Sequence, residues 1–275
     1  MKDRHLNLFW LRCHFSSYLN NTWEMVKVIS LVDGGRVMLR MLFGEAPRVD
    51  TGELLEAMTA MDHYLAKVRA VMEREGDPHH DWRKIEVWTV GLKTSLDELE
   101  QSMYASARFA SLVTKQYQEE MNEEELDNYY RHVYFYKNGF IRLFSVLDKV
   151  GTLLNEALQL ETGKVKNRFS FFTVLRQMNY LNSTPALTRQ LMQVKDAHKD
   201  SLQRLRKRRN TEIHHMNAEM QDDLWQRHRS LNDKVRLENI QANVNDLKDG
   251  YEAVCQVLIT IFTHLLRMKN GNESK

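Results

Sequence analysis

Arg209, Asn210 and His214 set a permanent cation, a neutral amide and an imidazole within the single stretch Arg209-Asn210-Thr211-Glu212-Ile213-His214. On a helix Asn210 and His214 are four apart and share a face, with Arg209 on its flank. A guanidinium can hold a phosphate, an amide can orient it, and an imidazole gains and loses protons near neutral pH. Those are the parts needed to bind an RNA phosphodiester and to cut it without a metal. The same residues also suit a solvated basic helix end, which a C-terminal helix dipole favours. An ideal helix holds Arg209 and His214 about 140° apart. They converge on one substrate only if the helix breaks or a second chain completes the cleft. Arg208 with His214, and Arg209 with His215, offer alternative pairs one residue further apart. Asn210 favours Arg209 with His214, because it follows that arginine directly and shares the face of His214.

Lys199, Arg204, Arg206, Lys207 and Arg208 concentrate positive charge just before the motif, and His215 follows it. These six residues are the candidates for contacts to an RNA backbone, and such contacts weaken with salt. The whole-chain balance of 39 basic against 37 acidic residues says little about partners, because Glu119, Glu120, Glu123, Glu124, Glu125 and Asp127 form an opposing acidic turn. His79-His80-Asp81 invites a metal, but adjacent histidines diverge by about 100° on a helix and no further ligand is suitably spaced. The segment reads as a loop and N-cap. Tyr129, Tyr130, Tyr134, Phe135 and Tyr136 could stack bases. Tyr130 and Val133 fall on an apolar stripe, however, and core packing is the simpler expectation. A Gly-rich phosphate loop, an acidic metal cluster, a Gly-x-Ser-x-Gly elbow and a dinucleotide fingerprint are all missing from the sequence. Neither cofactor nor metal is expected. Cys13 and Cys255 form no spaced pair, which suits a reducing cytoplasm better than a disulfide framework.

The elements that must position these residues are helical. Eleven Gly and three Pro are few for 275 residues, and Leu, Met, Glu, Lys, Gln and Arg dominate. The expected fold is all-α, an antiparallel bundle of about five long helices with short connecting helices. Asp50 with Glu53 reads as a capping box before the stripe Leu54, Met58, Met61, Leu65, Val68 and Met72, which Gly76-Asp77-Pro78 ends. A second helix starts near Asp81, carries Ile85, Val87, Trp88, Leu92, Leu96 and Leu99, and is expected to reach about Glu120. Asn122 with Glu125 caps a third, striped by Leu126, Tyr130, Val133, Phe140, Phe144, Leu147, Val150 and Leu154 and closed by Gly163. A brief aromatic helix follows between Asn167 and Pro185. Pro185 opens a fourth long helix through Leu187, Leu191, Leu202 and Leu205, and that helix or its break delivers the motif. Met216 to Ser230 reads as a polar loop, and the final helix runs from Val235 to Met268.

Residues 1–40 are poorly patterned and are expected to be an extension, with natural translation starting at Met38 or Met41. An ordinary N-terminal helix over Leu19–Val32 is the alternative. They make a poor signal peptide, and no apolar run approaches the roughly 20 residues that span a bilayer. Residues 41–275 then form a single domain, with 50–120 an added helical hairpin and 126–268 its core.

Arg-Asn-x-x-x-His between long helices, after a short helical segment and before a final long helix, resembles the HEPN superfamily. The resemblance covers roughly Leu126 to Met268. It implies a metal-independent endoribonuclease, cytoplasmic and bacterial in style. In that reading His214 moves protons as an RNA 2′-hydroxyl attacks its phosphate, Arg209 binds the phosphate, and Asn210 orients it. It also implies a homodimer whose two motifs face one cleft, and for some members a nucleotidyltransferase or antitoxin partner. Many members bind RNA or a nucleotide without cleaving, and a structural or partner-binding bundle is the third reading.

Overall fold

A computed structural model describes residues 38–165, 169–214 and 236–268. The expectations placed on residues 1–37, His215, the Met216–Ser230 loop and Val235 lie outside the described residues. The chain divides into two units, Met1–Val49 and Asp50–Lys275. The described part of the first contains α1, Met38–Leu42.

The second unit is all-α. Its long helices are α2 (Gly52–Glu75), α3 (Asp81–Ala110), α4 (Glu123–Ala157), α8 (Lys199–His214) and α9 (Ile240–Arg267). Shorter helices α5 (Thr162–Val165), α6 (Phe171–Tyr180) and α7 (Pro185–Ala197) connect α4 to α8. Among the described residues no strand forms; Tyr117 and Arg236 make one isolated bridge.

Side-chain pairs fix the directions of the helices. Arg69 meets Glu86 and Asp62 meets Lys93, so α2 and α3 are antiparallel. Ser106 meets His132 and Ser95 meets Lys149, so α3 and α4 are antiparallel too. Glu53 accepts from Gln256 at 2.8 Å, while Lys67 Nζ reaches the Leu265 and Leu266 carbonyls at 3.1 Å. Helix α9 therefore runs parallel to α2, with a lysine cation on its negative C-terminal end. The core between them contains Leu54, Met61, Leu96, Leu99, Phe140, Leu147, Val254 and Phe262. A contiguous apolar core of this kind is what the helical stripes were for.

Several boundaries differ from the sequence expectation. The N-cap of α2 is Thr51, without a side-chain cap, and Glu53 turns toward Gln256 instead of back to Asp50. Helix α3 stops at Ala110 instead of near Glu120. The carboxylate of Glu125 accepts from the backbone N–H of Thr114 and of Lys115, which turns the chain there and holds that carboxyl below its ordinary range. Helix α4 ends at Ala157, before Gly163; Gln159 and Glu161 take the positive φ angles of the turn. Of the clustered aromatics on α4, Tyr129 and Tyr136 are buried, whereas Tyr130, expected in the core, is half exposed and Tyr134 is exposed. Buried His132 sets that register, with Nδ1 donating to the Ser106 carbonyl at 3.0 Å. Val87 of α3 likewise faces out.

The break after Pro185 falls at His198, between α7 and α8, and not at the motif. His198 is buried and meets Asp249 through Nδ1 at 2.8 Å and Gln256 through Nε2 at 3.3 Å, which pins the kink to α9. Gly250 lets α8 approach. A Cβ there would lie 2.6 Å from Leu143 Cδ1 and 2.7 Å from Leu205 Cδ1, so three helices meet where only hydrogen fits.

Candidate functional site

Helix α8 carries the motif, and its two faces differ. Ser201, Leu202 and Leu205 are buried and dock the helix on α4 and α9. On the same side Arg204 makes two hydrogen bonds to Asp246, at 2.7 and 2.6 Å. Arg208 donates to Glu238 at 2.6 Å and to Asn243 at 2.9 Å, and its guanidinium lies over the Tyr136 ring. Glu212 pairs with Lys137 of α4 at 3.1 Å. Two of the six residues read as RNA-backbone contacts thus have their charges answered inside the fold.

Lys199, Arg206 and Lys207 are exposed, and no ion pair engages them among the described residues. The Arg206 guanidinium lies 5.8 Å from the Phe172 ring centre. Asn210 and His214 are exposed on the outer side, as their spacing of four predicts.

Arg209 lies between the two faces. Its guanidinium sits 5.1 Å from the centre of the buried Phe144 ring, a cation–π contact. Its Nε is buried and has no hydrogen-bond partner among the described residues. Asp148, one turn along α4 from Phe144, accepts from the Phe171 N–H at 3.0 Å. Burial pushes the Asp148 carboxyl up, against the Phe171 bond and the charges of Arg209 and Arg206, which pull it down. Asp148 was not singled out from the sequence. The available signal was an acidic residue four after Phe144, at the edge of the apolar stripe.

The helix is continuous from Lys199 to His214. Arg209 and His214 therefore keep the roughly 140° separation of an ideal helix, and one chain does not bring them onto one point. Asn210 and His214 it does bring together, on one open face.

A HEPN family model, Cthe2314-like HEPN, matches residues 88–266. The chain belongs to the HEPN superfamily. No curated protein and no solved structure matches it. The HEPN match contains the whole of α4 and α8 and nearly all of α9, and with them the Arg209–His214 motif. It begins at Trp88 and so reaches into α3, further toward the N-terminus than the Leu126 start read from the motif.

Among the described residues no group of His, Cys, Asp and Glu is arranged to hold a metal ion. No described helix is long and apolar enough to cross a membrane. Cys255 is buried, and burial pushes its thiol up to about 12, which makes it a poor nucleophile.

Proposed function

We propose that this HEPN protein is a metal-independent endoribonuclease working as a homodimer. The observation that carries the reading is the exposed Asn210–His214 face, flanked by Arg209, inside the region the HEPN model matches. His214 takes the proton of an RNA 2′-hydroxyl as its oxygen attacks the adjacent phosphorus. The bond from phosphorus to the 5′-oxygen breaks, and that oxygen receives a proton. Arg209 offsets the charge growing on the phosphoryl oxygens, a role in which a preplaced cation is effective. Asn210 orients the phosphate by hydrogen bonding. The separation of Arg209 from His214 around α8 is the reason for two copies: the arginine of one and the histidine of the other share a cleft.

The test is RNA cleavage in excess chelator. Wild type is expected to cleave, and His214→Ala and Arg209→Ala are each expected to lose at least about a hundredfold, a typical loss for an acid–base group or a charge-stabilising donor. Equal cleavage by all three proteins discards the mechanism. RNA binding without cleavage by wild type leaves the non-cleaving reading in its place.

A further inference from the structure

Helices α6, α7 and α8 enclose a groove of about 340 Å³, within the roughly 300–1,000 Å³ of ordinary ligand sites. Its floor is apolar, with Leu175 and Leu202 buried and Phe172 and Met192 half-buried. Arg176, Lys195, Lys199 and Arg206 stand around the floor, and no carboxylate belongs to the lining. Lys195 is paired with its neighbour Asp196 at 3.2 Å. Arg176 donates through Nε to the Phe172 carbonyl at 3.3 Å, which leaves its terminal nitrogens directed elsewhere. Arg206 is one turn before Asn210 on α8, so the groove leads along the helix toward the motif.

From this charge and shape we infer that the groove binds one nucleotide of single-stranded RNA next to the scissile bond. Its base lies on Phe172 and Met192 once the Arg206 guanidinium swings off the Phe172 ring it now covers, and its phosphates lie between Arg176, Lys199 and Arg206. An apolar floor takes the π-face of any base, and the surrounding cations take the backbone. The inference takes its ligand class from the RNA reading above but does not require cleavage. Arg176, Phe172 and Met192 belong to helices outside the motif and add contacts that the basic run on α8 does not supply.

The experiment is fluorescence anisotropy of a labelled single-stranded RNA with the full chain in chelator, across a salt series. Arg176→Gln combined with Lys199→Gln is expected to weaken binding about tenfold. It should also lower the log–log salt slope by about 1.4, at roughly 0.7 per phosphate contact on a single strand. Phe172→Leu should weaken binding about fivefold through lost stacking. A control pair with the same charge change, Arg131→Gln with Lys248→Gln, removes exposed cations from α4 and α9 and should leave affinity within about twofold. Unchanged helical content by circular dichroism establishes that each variant is folded. The groove is overturned if wild type does not bind RNA, if the groove pair binds as wild type does, or if the control pair loses as much. Cleavage separates the two readings. Loss of cleavage in His214→Ala with full binding by the groove pair removes the groove and keeps the nuclease, whereas the reverse pattern keeps the groove and removes the nuclease.

Discussion

On the inner side of α8, Arg204 and Arg208 end on Asp246 and on Glu238 with Asn243. On the outer side of the same helix, Lys199, Arg206 and Lys207 end in solvent or over an aromatic ring. The residue types are alike and adjacent in sequence, so charge density alone does not distinguish a structural cation from a binding one. A carboxylate partner held at least half-buried in the fold does. Arg204 on buried Asp246, and half-buried Arg208 on half-buried Glu238 and buried Asn243, stabilise the docking of α8, and breaking such a pair is costly because the remaining charge is left unanswered. An exposed cation contributes little to stability and remains available to a polyanion.

The largest expected effect breaks the inner face. Arg208→Ala should lower unfolding free energy by roughly 2–4 kcal/mol in a denaturant titration, somewhat below the range for removing one partner of a fully buried pair because both residues are only half-buried. Its neighbour Lys207→Ala should stay within about 0.5 kcal/mol, as surface changes do. Equal losses at the two positions would erase the distinction between the faces. Next comes the seat of the helix. Gly250→Ala introduces a Cβ against the side-chain ends of Leu143 and Leu205 and should cost about 1 kcal/mol net, the overpacking penalty offset by the helix propensity of alanine. Helical content should remain while the thermal midpoint falls. A variant as stable as wild type would show that α8 is not held by that contact.

A smaller effect depends on pH. Burial lowers the pKa of His132 from 6.5, so the native state holds this ring neutral. The unfolded chain then binds the extra proton first. The stabilisation is present above about 6.5 and is lost as pH falls toward the folded value, with a slope of at most about 1.4 kcal/mol per pH unit for one proton. Replacing His132 with Asn should flatten the decline between pH 7 and 5 seen in denaturant midpoints; an unchanged slope assigns it to other groups. The smallest effect sharpens the border between the faces. The raised Asp148 pKa means that its neutral form stabilises the fold at low pH and that this contribution is lost as pH rises through the folded value. Asp148→Asn keeps an acceptor for the Phe171 N–H and removes the charge. Its thermal midpoint at pH 7 should not fall, and RNA affinity should rise about twofold as Arg206 and Arg209 lose their counter-charge. A lower midpoint would contradict the burial argument.

Much of this arrangement was legible in the chain. The stripes of α2 and α9, the Asn122 cap and the Gly76 stop are local signals, and the structure follows them. What escaped was set by distant partners. The break at His198 depends on Asp249, and the end of α3 depends on a Glu125 carboxylate from the next helix. The same holds at the site. Asn210 and His214 share a face through helix geometry alone, but the difference between Arg204 or Arg208 and Lys207 lies in Asp246 and Glu238, which no local pattern joins to them. The offset of Tyr130 from the core has the same origin, since His132 and Ser106 set the register of α4 from across the bundle.

The most direct test of the account mixes two inactive proteins. After subunit exchange, Arg209→Ala and His214→Ala chains form mixed dimers in which one of the two Arg209–His214 pairs across the cleft is intact. Metal-free RNA cleavage by the mixture should recover to about one quarter of wild type, because half the dimers are mixed and each has one intact pair of two. A mixture no more active than its components, with exchange demonstrated, would contradict a cleft in which Arg209 of one chain and His214 of the other meet.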